Sequence, residues 1–235
     1  MLRLMGCAIA AMVFVITSST QAGEFSDRNN TFRLTAPDGW ATEPPSIPTL
    51  SLAIASPRKP ETGGNCNVVV APVDATRSIS QTEAEAQFFA QLKESDWKTA
   101  VAAIRGHKSS TIETWEERTH RGRKALHIKS TSTFGIDGDE LTITQVQDFH
   151  PIPGRLYAVT CTALAAGFEQ EANDFAAIMA SFEPLPDMTV GAVRMSPRAS
   201  PGDRFPVAHA AIAVIRDAGA AGVTRVRVEL SRTRP

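Results

Sequence analysis

Thr111 to Ala163 reads TIETWEERTHRGRKALHIKSTSTFGIDGDELTITQVQDFHPIPGRLYAVTCTA. Four β-rich stretches follow one another within it, Thr111–Arg118, Lys124–Phe134, Glu140–Phe149 and Arg155–Ala163, each dense in Thr, Val, Ile and aromatic residues. The gaps between them are Thr119-His120-Arg121-Gly122, Gly135-Ile136-Asp137-Gly138 and Pro151-Ile152-Pro153-Gly154. Connections so short join neighbouring antiparallel strands, because a parallel pair needs a crossover of a dozen residues or more. The stretch therefore predicts an antiparallel meander.

Upstream, Phe32–Ala36 reads as a strand stopped by the turn residues Pro37-Asp38-Gly39, and Thr49–Ala55 and Asn65–Ala71 as two more. Ser80 and Glu83 stand at capping-box spacing and open a helix in which Ala84, Phe88 and Leu92 recur every four residues. A break at Ser95-Asp96 is expected, after which Trp97, Val101 and Ile104 resume a helical pattern. Downstream, Phe168, Ala172, Phe175, Ile178 and Phe182 form one apolar stripe, with Glu169, Glu171 and Asp174 near the positive end of that helix. Phe175, Ile178 and Phe182 are expected to pack on the sheet together with Phe88 and Leu92. The order strands, helix, strands, helix predicts an α+β fold, a largely antiparallel sheet sandwiched by helices, and not a doubly wound dinucleotide fold.

Three segments carry a family resemblance: Phe32-Arg33-Leu34-Thr35-Ala36-Pro37-Asp38-Gly39-Trp40, the central meander, and Gly154-Arg155-Leu156-Tyr157-Ala158-Val159-Thr160-Cys161-Thr162 followed by Phe175-Ala176-Ala177-Ile178-Met179-Ala180-Ser181-Phe182. Over about residues 30 to 183 the chain resembles the PsbP-like proteins, whose α-β-α sandwich is shared with DcrB-type cell-envelope proteins and a eukaryotic Ran-binding factor. The resemblance implies that fold and an accessory or binding role, not an enzymatic one.

The first 22 residues read as a signal peptide. Met1-Leu2-Arg3 is a short positive region, Leu4 to Ile16 is almost unbroken apolar sequence, and Thr20 and Ala22 suit the −3 and −1 pockets of signal peptidase. About 13 apolar residues fall short of the ~20 that span a bilayer. Cleavage after Ala22 and a periplasmic or secreted destination are expected, with no transmembrane segment afterwards. The mature chain then keeps Cys66 and Cys161 in a compartment that permits disulfides. Both lie in strand-like runs, so a bond between Cys66 and Cys161 is expected, closing a loop of about 96 residues worth roughly 4 to 5 kcal/mol, with two buried, inert thiols as the alternative.

The chain has 235 residues, with 43% hydrophobic and 21% charged. That suffices for a packed core. Its 24 Lys and Arg against 25 Asp and Glu exclude a uniformly basic nucleic-acid binder. Charge shifts near Pro184-Leu185-Pro186: residues 23–186 carry net −6, whereas residues 187–235 carry net +4 with eight Arg and no Lys. The first part is expected to be the PsbP-like domain and the second an Arg-, Ala- and Pro-rich, poorly ordered tail in weak contact with anionic envelope surfaces.

No nucleophile elbow, phosphate-binding glycine loop or His-Glu-x-x-His helix occurs. His107, His120, His127, His150 and His209 are scattered, with no pair at helical metal-ligand spacing. Asp137-Gly138-Asp139-Glu140 reads as a hairpin turn, since it lacks the later ligands of a calcium loop. Trp40 and Trp115 suit the core or its edge. The cluster His120, Arg121, Arg123 and Lys124 is a candidate anion-recognition tip, with a plain solvated hairpin as the alternative. No catalytic residue, metal ligand or cofactor is expected. The function expected is an exported, non-catalytic binding or accessory protein that serves an envelope protein or a small ligand. A hydrolase whose site forms only in three dimensions, and an envelope-stability protein without a small ligand, are the alternatives.

Overall fold

A computed structural model describes residues 23–136 and 138–185. The leader read over residues 1–22, the tail read over 187–235 and Asp137 lie outside the described residues. In chain order the elements are β1 (Gly23–Ser26), β2 (Phe32–Ala36), β3 (Ala41–Thr42), β4 (Leu50–Ala55), α1 (Lys59–Thr62), β5 (Asn65–Val73), α2 (Gln81–Gln91), α3 (Glu94–Ala102), β6 (His107–His120), β7 (Arg123–Ile136), β8 (Asp139–Ile152), β9 (Gly154–Leu164), α4 (Phe168–Ser181) and β10 (Glu183–Pro184). The fold is α+β, a seven-stranded antiparallel sheet in the order β3-β4-β5-β9-β8-β7-β6 with helices on both faces.

The meander of β6 to β9 stands, with longer strands than the sequence boundaries suggested. At its first turn Arg121 has φ +50° and Gly122 φ +76°. Two consecutive left-handed residues make a two-residue hairpin turn, so Thr119 and His120 stay paired with Lys124 and Arg123. The capping box at Ser80 and Glu83 forms as read. The expected break at Ser95-Asp96 falls earlier. Leu92 and Lys93 are extended, and the Lys93 backbone N–H donates to Asp96 Oδ2 at 3.3 Å. Asp96 caps the new helix from inside its first turn, where an acceptor satisfies a free backbone donor.

Strand alternation sorts the core into two layers. On one face Phe88 of α2 and Trp97 and Val101 of α3 pack against Leu126, Ile128, Phe149 and Leu156. On the other, Phe175 and Ile178 of α4, with Phe182 just beyond it, pack against Tyr157, Val159 and Cys161. The aromatic residues expected in the core all reach the sheet, from opposite sides. Strand β2 lies between β1 and β10 in a separate three-stranded sheet beside α4, a feature that its local sequence does not announce. Cys66 on β5 stands directly opposite Cys161 on β9, Cα to Cα 4.0 Å, and the two are bonded in the α4 layer.

Candidate functional site

Helix α4 packs mainly on β2 and β9, which leaves the outer strands β6 to β8 to form one side of a groove against it. The groove has a volume of about 420 Å³, within the range of small-molecule sites. Its helix wall is Phe168, Ala172, Phe175, Ala176, Met179 and Ala180, and its sheet wall is Arg118 and His120 from β6, Ala125, His127 and Lys129 from β7, and Val146 and Asp148 from β8. Alternation along each strand turns these residues to the same side. Ala172, Ala176 and Ala180 recur one turn apart, and their small side chains keep helix and sheet from closing on each other.

Chemistry concentrates on the sheet wall. His127 Nδ1 lies 2.6 Å from Asp148 Oδ1, with both residues buried. The carboxylate can only accept, so Nδ1 carries the proton and Nε2 is the ring nitrogen left for a ligand. Lys129 sits 5.0 Å over the Phe168 ring and 2.9 Å from Glu113. Hydrogen bonds from Thr131 and Lys129 hold the Glu113 carboxyl below the usual range. Arg118 is half-exposed and pairs with Glu116. Such surface pairs bind weakly and yield readily to a competing anion. Glu169 completes the rim.

The four residues singled out in the sequence lie at the β6–β7 tip, and most have partners within the chain. His120 Nε2 donates to the Phe182 carbonyl at 2.6 Å, and Arg121 reaches the Ser181 carbonyl at 3.3 Å and Glu183 at 3.4 Å. These two face the carbonyl end of α4, whose unpaired oxygens accept from donors. Lys124 pairs with Glu117 at 2.6 Å, which raises its pKa. Arg123 is exposed and has no ion pair among the described residues. His150, next to the tip, is packed between His120 and Phe182 at centroid distances of 5.0 and 4.8 Å, and burial pushes its pKa down to about 4.

Trp40 is buried against Phe175 and donates to Asp174 at 3.2 Å, and Trp115 is partly buried in the opposite layer. Gly138, with φ +97°, makes the β7–β8 turn. Among the described residues no three His, Cys, Asp or Glu side chains group to hold a metal ion, and no helix is long and apolar enough to cross a membrane.

Sequence reading missed two constellations. His127 and Asp148 lie 21 positions apart but face each other in the β7–β8 register, so the pair becomes visible only once that register is fixed. Glu171, read only as an acid near the positive end of its helix, has no exposed surface. It accepts from Ser56 Oγ at 2.9 and 3.0 Å, from Thr62 Oγ1 at 2.6 Å, and from Arg58 at 2.9 and 3.2 Å. Those bonds raise the Arg58 pKa further and clasp α4 to the β4–α1–β5 corner.

The other face of the sheet also holds polar groups. Asn65, Thr162, Gln145 and Ser130 stand side by side on β5, β9, β8 and β7, and all are buried. Asn65 Oδ1, both polar atoms of the Asn67 amide, Gln145 Oε1, Thr162 Oγ1 and Ser130 Oγ have no partner. Buried polar groups of this kind are ordinarily met by ordered water.

No protein-family model and no curated protein matches the chain. Among solved structures, it is similar to the solution structure of a cyanobacterial PsbP, CyanoP from Synechocystis sp. PCC 6803, at 13% identity and TM-score 0.49, covering 74% of this chain and 98% of that one. It is also similar to LpqN, involved in cell envelope biogenesis of Mycobacterium tuberculosis, at 16% identity and TM-score 0.44 over 72% and 93% of the two chains. The Saccharomyces cerevisiae Ran-binding protein Mog1p is similar at 12% identity and TM-score 0.41 over 71% and 96%.

Proposed function

We propose that the protein is exported and serves the cell envelope as a non-catalytic binding protein, and that a small amphipathic anion occupies the groove between α4 and β6–β8. The groove carries this reading. An apolar body fits the alanine-lined helix wall, while a carboxylate or phosphate meets Arg118 and Lys129 on the sheet wall. Arg123 at the tip extends the same positive edge. Export is supported by the leader composition and by the Cys66–Cys161 bond, which persists in oxidising compartments. The net +4 tail is proposed to be dispensable for folding and to add a weak, salt-sensitive contact with anionic surfaces. Calorimetric titration with octanoate tests the groove. Saturable binding is expected, and heats indistinguishable from dilution would contradict it.

One observation favours a second reading as a hydrolase. The Asp148 carboxylate holds the His127 ring in the tautomer that a general base needs. A histidine held in this way would activate a water as the nucleophile. Turnover of p-nitrophenyl octanoate that falls on Asp148→Asn would favour this reading; the binding-protein reading expects a background rate that this substitution leaves unchanged.

A further inference from the structure

We propose that the ligand of the groove carries an anionic group at each end: a linear α,ω-dicarboxylate that lies lengthwise between Arg118 and Lys129. The proposal rests on the groove reading above and names the ligand class within it.

Two separate landmarks align α4 with β7. Lys129 lies over the ring of Phe168, the first residue of α4, and His120, opposite Arg123, bonds to the carbonyl of Phe182 just past the helix end. From Phe168 to Phe182 a helix rises roughly 21 Å, and from Lys129 to Arg123 a strand covers roughly 20 Å. Helix and strand therefore run side by side, and the register of β7 measures distance along the groove. Arg118 is paired with Ala125, four residues from Lys129, which is roughly 13 Å at the backbone.

Each cation has its own acid and donors to spare. Lys129 Nζ gives one hydrogen to Glu113, and Arg118 turns Nε and Nη2 to Glu116. An ammonium has three donors and a guanidinium five, so both keep hydrogens for a ligand. Between the two cations the walls are apolar or already satisfied: Ala172, Phe175 and Ala176 on α4, Val146 on β8, and the Asp148 carboxylate bonded to His127.

That arrangement selects the ligand. One carboxylate can engage either cation, but its two oxygens lie too close together to hold both at these positions. A chain of about eight to ten carbons, with hydrogen-bond reach at each end, covers the span, and its methylenes lie against the apolar wall. Both cations are partly exposed, so the two carboxylates keep part of their hydration.

The test is calorimetric titration of the full chain with octanoate, octanedioate, monomethyl octanedioate and butanedioate. Octanedioate is expected to bind about tenfold or more tightly than octanoate, one charge-assisted hydrogen bond's worth. The monomethyl ester, which lacks the second charge, and butanedioate, which is too short, should both lose that advantage. Arg118→Gln and Lys129→Gln should each bring octanedioate down to the affinity of its monomethyl ester without abolishing binding. Equal affinity for octanoate and octanedioate, or for butanedioate and octanedioate, overturns the two-ended ligand, while saturable octanoate binding leaves the groove reading standing. A single variant that keeps the full octanedioate preference overturns it as well. Absence of saturable binding by all four compounds overturns both the two-ended ligand and the groove reading beneath it.

Discussion

Residues 65 to 67 face both ways: Cys66 turns toward α4 and bonds to Cys161, while Asn65 and Asn67 turn toward the α2/α3 layer and keep unpartnered atoms. The two faces repeat that contrast on a larger scale. Under α4 the fully buried carboxylate of Glu171 is surrounded by donors from Ser56, Thr62 and Arg58. Under α2 and α3, amides and hydroxyls of equal burial form an incomplete network anchored at Trp97. The α4 side is the more completely satisfied of the two, with His150 Nε2 its buried unpartnered atom among the described residues, and buried groups of this kind are ordinarily met by ordered water.

The contrast predicts effects of very different size. The largest belongs to the disulfide, whose removal by the pair Cys66→Ala and Cys161→Ala is expected to lower stability by roughly 4 to 5 kcal/mol, read from urea unfolding; a loss below about 1 kcal/mol would mean the α4 layer does not depend on it. Next is Glu171→Ala, which takes the acceptor from the Ser56 hydroxyl and leaves Arg58 paired with Asp174 alone. A loss of about 2 to 4 kcal/mol is expected. It is moderated because Arg58 is 40% exposed and rehydrates.

His150 adds a pH-dependent effect on the α4 side. Its folded pKa, about 4, lies below the ordinary 6.5 of an unfolded histidine. Between those values the unfolded chain binds the proton and the folded chain does not, so stability falls as pH drops through the window from 6.5 to 4. The total is up to about 3 kcal/mol. Melting curves at pH 7 and pH 5 should diverge for the wild type and converge for His150→Phe. The smallest effect is Ser130→Ala. Removing an unpartnered hydroxyl should change stability by less than about 1 kcal/mol, in either direction; a loss as large as that of Glu171→Ala would erase the difference between the faces.

Much of this architecture was legible from residues. Short turn-rich gaps in Thr111–Ala163 sufficed for the meander, and Ser80 with Glu83 for the start of α2, because both depend on neighbours in sequence. The groove was not legible. His127 and Asp148 meet through strand register, Ala172, Ala176 and Ala180 matter through what they leave unfilled, and Glu171 is buried by the β4–α1–β5 corner, which its own helix cannot reveal. The charged tip was readable as a cluster; its partners at the end of α4 depend on where the hairpin bends.

The groove beside α4 is proposed to hold an amphipathic anion through Arg118 and Lys129. Parallel calorimetric titrations of wild type and of Arg118→Glu/Lys129→Glu with octanoate and with methyl octanoate test it most directly. Wild type is expected to bind the carboxylate about tenfold or more tightly than the ester, an electrostatic preference of about 1.4 kcal/mol or more, and the variant to lose that preference while still folding. Equal affinity of the wild type for carboxylate and ester, or an unchanged preference in the variant, would contradict it.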